Sequence, residues 1–263
     1  MTVTFRPATF ARFVLAAAIA LAAACNSAPA PKVARSGGNK SVDPATAGSI
    51  AGRITFSGPA PAAEPINMAS DQACVQGSGP NTVSDAVVIG ADGALKNVFV
   101  HVKEGLDSAY GFDVPTSGVV LDQKGCKYTP RVVGVRAGQP LEIVNSDPTL
   151  HNVHALPMAN TEFNQGQPVQ GFRTTRTFTT PEVMVRFKCD VHSWMTAQVG
   201  VVAHPYFAVT KDDGSYEIRN LPPGTYTIEA WHEKFGTQIA KVTVADKQAQ
   251  TVPFTFTAKP DGE

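Results

Sequence analysis

The sequence predicts an all-β protein built as two sandwiches. Short runs such as GRITFSG, LKNVFVHV, RVVGVRAG, LEIVNSD, VMVRFKC, AQVGVVAH, SYEIRN, TYTIEAW and KVTV alternate apolar and polar residues with period two. Gly, Pro, Asn and Asp bound these runs, and no comparably long stretch keeps a helical period. At 263 residues and 43% hydrophobic content, the chain is long enough for one large or two ordinary domains with real cores.

Residues 1–24 read as an export signal. Arg6 and Arg12 stand near its start, and FVLAAAIALAAA supplies an apolar run of twelve, too short for a stable bilayer-spanning helix. The run ends in LAAAC, which resembles the lipobox of bacterial lipoproteins and implies lipidation of Cys25; plain cleavage near Ala28–Ala30 is the alternative. Loss of residues 1–24 leaves 20 basic against 22 acidic residues, a balance that gives no support for nucleic-acid binding. The expected location is the periplasm or cell surface, anchored through the lipid, or a secreted soluble form if the chain is simply cleaved.

Export puts the remaining cysteines in an oxidising compartment. By elimination Cys74 and Cys126 are the disulfide pair, closing about 50 residues and worth ~4 kcal/mol in the chain-entropy model, and Cys189 stays single. Residues 25–48, small, polar and rich in Pro and Gly, read as a flexible tether with an r.m.s. reach of roughly 25 Å.

From residue 206 onward the chain shows an Asp-Gly turn, a strand, an LPPG turn and a second strand. Asp213, Gly214, Tyr216, Pro222, Pro223, Gly224 and Tyr226 give it a pattern that resembles the carboxypeptidase regulatory-like (transthyretin-like) domain. The first strands of that family have counterparts far upstream, in AGRITFSGPAP and LKNVFVHVKEG. Two arrangements follow. Residues 49–104 and 205–259 form one discontinuous sandwich with residues 105–204 inserted, or two domains follow one another.

Residues 105–204 carry the chemistry. In FKCDVHSWM (187–195), Cys189, His192 and Met195 are three residues apart, on a loop between the strand-like VMVRF and AQVGVV. Fully extended, Cys189 and Met195 would stand ~20 Å apart, so a shared metal requires the loop to turn back on itself. A fourth ligand comes most simply from VNSDPTLHNVHA, which offers His151 and His154 at a strand end.

LHNVH with CDVHSWM, preceded by YTPRVVGVRAGQPLEIVNSD, resembles the cupredoxins, above all amicyanin and plastocyanin, over about residues 118–203. The resemblance implies a Greek-key β-sandwich holding one copper ion that cycles between Cu(I) and Cu(II). His151, Cys189 and His192 would be equatorial ligands and Met195 a weak axial one. Asn152 falls on the asparagine that ties the two ligand loops together, His154 on a position that is not normally a ligand, and Ser193 where many relatives have proline. Two imidazoles, a thiolate and a thioether suit blue copper, whereas zinc seldom takes methionine.

The function expected is an exported blue copper protein that carries single electrons rather than an enzyme, its partner a redox protein such as a c-type cytochrome or a dehydrogenase. The alternative is a cell-surface binding module with structural or stored copper, its regulatory-like sandwich contacting carbohydrate or protein. Trp194 either rims a docking surface or packs in the core. His101, His204 and His232 lack clustered partners in the sequence and suit surface or hydrogen-bonded roles.

Overall fold

The structure, a computed structural model, describes residues 1, 2 and 34–258. The export signal and Cys25 lie outside the described residues. The first strands are β1 (Arg35–Gly37), β2 (Gly48–Phe56), β3 (Phe99–Glu104) and β4 (Gly111–Asp113), of which β2 and β3 come from alternating runs, with one α-helix, α1 (Gln72–Ser78), and a 3-10 turn at Ala91–Gly93 between β2 and β3. Then follow β5 (Val119–Gln123), β6 (Tyr128–Thr129), β7 (Val132–Arg136), β8 (Pro140–Asn145), β9 (His151–Leu156), β10 (Phe163–Gln167), β11 (Arg173–Thr177), β12 (Glu182–Lys188) and β13 (Thr196–Val202). The chain closes with β14 (Phe207–Val209), β15 (Ser215–Leu221), β16 (Gly224–His232), β17 (Gly236–Val244), β18 (Ala249–Thr251) and β19 (Phe254–Phe256).

One sandwich is discontinuous in sequence. Its sheets run β14-β3-β16-β17 and β15-β2-β18, with β19 also on β2. Every second residue of these strands points inward, so Ile50 and Ile54 of β2 meet Val100 and Val102 of β3 and Ile228 of β16 in one core. The second sandwich has sheets β10-β9-β12-β13-β7 and β11-β8-β5-β6. Leu121, Leu141, Ile143, Val153, Phe187 and Val199 fill it.

Glycines let the two sandwiches join. Gly134 of β7 and Gly200 of β13 are register partners, and Phe99 and Phe207 of the first sandwich press into the space they leave. A Cβ at Gly134 would stand 2.2 Å from the Phe207 ring, and one at Gly200 2.6 Å from that of Phe99. Gly134→Ala is therefore expected to destabilise the chain by about 1–3 kcal/mol, seen as a lower urea midpoint, without touching His151, Cys189, His192 or Met195.

Two expectations need correction, and one element goes beyond them. The tether expected over 25–48 is not free from Ala34 onward. There β1 pairs with β4 as a two-stranded sheet, Arg35 donates to the Gly111 carbonyl (2.9 Å) and Lys40 lies over the Tyr110 ring, so the backbone is anchored. The span 49–104, expected as sandwich alone, contributes strands only at its two ends. Between them Met68 and Cys74 pack into the second sandwich's core. Finally, α1 has too few residues to show a helical period and was not anticipated.

Candidate metal centre

Strand pairing brings the two motif segments together. β9 runs antiparallel to β12 with His154 opposite Lys188, which sets the start of β9 beside the end of β12. Beyond Lys188 the chain reverses: Cys189 N–H donates to the Met195 carbonyl (3.1 Å), Met195 N–H to the His192 carbonyl (2.9 Å), and His192 N–H points at Cys189 Sγ (3.4 Å). Cys189 and Met195, ~20 Å apart if extended, are thus joined directly through their backbones.

Two further residues fasten the segments. Asp190 N–H donates to Asn152 Oδ1 (2.5 Å) while Asn152 Nδ2 donates to Asp190 Oδ2 (3.0 Å). The Tyr128 hydroxyl, buried in the core, reaches the carbonyls of Asn152 (3.1 Å) and Lys188 (3.2 Å).

The result is a compact donor group. One ligand atom each of His151, Cys189 and His192 lies within 4.8 Å of the others, and the two Nδ1 atoms are 3.0 Å apart. Exposure is 0% for His151, 1% for Cys189, 3% for His192 and 1% for Met195, so the donors are shut off from solvent. Met195 packs in the same core cluster as Cys189.

The opposite edge of each imidazole faces a carboxylate. His151 Nε2 lies 2.9 Å from Asp147 Oδ2, and His192 Nε2 lies 3.1 Å from Asp71 Oδ2. A carboxylate behind a ring nitrogen holds the proton there and leaves the other nitrogen's lone pair for a metal. Each carboxylate is itself fixed. Asp147 accepts from the N–H groups of Gly125 and Cys126, both at 2.7 Å. Asp71 caps α1 by accepting from Ala73 N–H (2.8 Å), and also accepts from the Thr149 hydroxyl (2.7 Å).

A disulfide ties these supports together. Cys74 and Cys126 are bonded, with Cα atoms 5.3 Å apart, and Cys74 Sγ lies 3.5 Å from His192 Nε2. The bridge therefore joins the helix that Asp71 caps to the turn that Asp147 holds. Trp194 belongs here too: half-buried, it donates from Nε1 to the Cys126 carbonyl (3.0 Å) with its ring 5.1 Å from that of His192.

The electrostatics favour a thiolate. Burial pushes the Cys189 thiol up, but hydrogen bonds from His151, His192 and the backbone N–H groups of Asn152 and His192 outweigh it and bring it down to about 6. Burial pushes His151 down, yet Asp147 and the Cys189 sulfur raise it to about 9. Without metal, the negative sulfur and the protonated imidazole stabilise each other.

Other histidines stand apart. His154 is held by Asp190 (3.0 Å) and Glu162 (2.8 Å), His101 by Glu229 (3.1 Å), His204 by the Val102 carbonyl (2.9 Å), and His232 stacks on Phe235. Among the described residues, no group of three metal-capable donors includes any of them. Ser193 is exposed on the ligand loop.

Asp71 and Asp147 were not anticipated from the sequence. Asp147 stands four residues before His151, a spacing that could have signalled it. Asp71 is 121 residues from His192, and nothing local announces that contact. If the donor group holds a metal, replacing either by asparagine is expected to weaken its binding about 10–100-fold, measured with Cu(II) by competition with a chelator of known affinity.

Comparison with known proteins adds the following. Among solved structures, the chain is similar to a Cu-containing nitrite reductase from Thermus scotoductus SA-01, at 21% identity and TM-score 0.31 over 34% of this chain and 23% of that one. It is similar to a purple cupredoxin from Nitrosopumilus maritimus, at 22% identity and TM-score 0.26 over 28% and 81%. It is also similar to the Cu(I) form of the M51A mutant of amicyanin, at 21% identity and TM-score 0.30 over 40% and 98%. The chain thus spans about a quarter of the nitrite reductase's length. No curated protein matches it. Residues 195–257 match the family model of the carboxypeptidase regulatory-like domain.

Proposed function

We propose that this chain is an exported, lipid-anchored copper protein that carries single electrons, with His151, Cys189, His192 and Met195 as the residues that would hold the copper. The observation that carries the reading is the buried donor group of two facing Nδ1 atoms and a thiol lowered to about 6. Two imidazoles and a thiolate beside a buried methionine suit copper better than zinc. When bound, copper supplies a one-electron couple between Cu(I) and Cu(II).

The chain's own residues do the rest. Asp147 and Asp71 hold both rings in one orientation, and Asn152 and Tyr128 fix the spacing of the two segments. A set of donors fastened this way rearranges little between oxidation states, as fast electron exchange requires. Burial of all four side chains leaves no open position for a substrate, which favours electron transfer over catalysis. Lipidation at Cys25 would keep the protein at the membrane, in reach of a c-type cytochrome or a dehydrogenase.

A second reading, copper held as a store or a structural ion in a cell-surface binding module, draws support from the contact of Asp71 and the disulfide with the Nε2 edge of His192. Protein-film voltammetry of the copper-loaded chain separates the two. A reversible one-electron wave with fast exchange is expected, and bound copper that does not cycle would transfer the assignment to the store.

A further inference from the structure

A cavity of about 790 Å³ lies away from the copper donors, none of which lines it. Its walls come from the segment before β2, from Phe112 and Pro115, and from Tyr206 and Phe207. Arg136, from the end of β7, also lines it.

The charges in this cavity pair off, except one. Arg35 faces Asp113 at 3.6 Å, and Arg219 faces Glu217 at 2.7 Å. Arg136 is only 4% exposed and has no carboxylate partner among the described residues. Its Nη2 donates to Ser36 Oγ (2.6 Å) and the Ala203 carbonyl (2.8 Å), whereas Nε is buried with no partner. The Phe112 ring lies 5.7 Å from the guanidinium carbon.

A guanidinium cannot shed its proton to escape burial, and a buried charge without a counter-charge is costly. Neutral acceptors and an aromatic face compensate part of that cost. No described residue supplies the missing negative charge, which leaves a bound anion to supply it.

We propose that this cavity binds an organic monocarboxylate with an apolar, ring-sized body. The single uncompensated charge selects a monoanion, and a planar guanidinium matches a planar carboxylate. The side chains of Phe112, Tyr206 and Phe207 line the same cavity beside Pro115 and Ile218, and suit an apolar body. A phosphate dianion would bring a second negative charge with no partner among those rings. This site is independent of the copper reading.

Isothermal calorimetry on the full chain tests it, with benzoate as probe, benzamide as its neutral counterpart, and inorganic phosphate. Benzoate is expected to bind one per chain, and benzamide more weakly by at least about tenfold. Arg136→Met should weaken benzoate by a similar factor. Ser41→Trp, on an exposed wall position with no role in the core, should block the cavity and do the same, and it decides the matter if the Arg136 variant does not fold. The proposal is overturned if benzoate gives no binding, if it binds both variants as well as the parent, or if phosphate binds more tightly than benzoate.

Discussion

Cys189→Ser is expected to leave a folded, copper-poor and colourless protein. The thiol is 1% exposed in a close-packed core, and a serine hydroxyl of nearly the same size can still accept from His192 N–H. Stability should change little, but the charged, soft donor is gone. The visible thiolate-to-copper band should vanish, and copper affinity should fall by more than the roughly 10–100-fold expected for loss of an outer carboxylate. Absorption spectroscopy with a matched chelator competition checks both. A variant that kept the band would remove Cys189 from the ligand set.

The second large effect is expected from Cys74→Ala/Cys126→Ala. The bridge spans 52 residues, so its loss should cost ~4 kcal/mol by chain entropy alone. The position of the bridge adds a second consequence. Asp71 sits at the cap of the helix bearing Cys74, and Asp147 accepts from the N–H of Cys126, so releasing the bridge frees both carboxylates to drift from the imidazoles. Urea unfolding should show the stability loss, and chelator competition a weaker copper site. Loss of stability with copper affinity intact would show that the carboxylates keep their places without the bridge.

Much of this was legible in the sequence because it is written locally. Period-two alternation and the DG and LPPG turns are short-range signals, and they foretold β2, β3, β7, β8, β12, β13, β15, β16 and β17, whereas the short β4, β6 and β14 and the polar β10 and β11 gave no such run. The CxxHxxM spacing demanded a reversal after β12, and the backbone hydrogen bonds between Cys189 and Met195 supply it. The supporting shell was harder to read. Asp71, Thr149 and His192 meet only once the disulfide and the second core draw the 57–98 segment across, and a helix as short as α1 leaves no periodic trace. The segment after Ala34 looked like a linker because its composition is that of one. Its order comes from pairing with β4 as a separate two-stranded sheet, across a separation of 76 residues between Arg35 and Gly111.

The most direct measurement is the visible spectrum of the metal-free chain during titration with Cu(II). An intense thiolate-to-copper band that saturates at about one copper per chain is the expected result, because two imidazoles, a thiolate and a thioether form a blue site. Copper taken up without that band would mean that the Cys189 thiolate does not bind it in this geometry, and the electron-carrier assignment would fall.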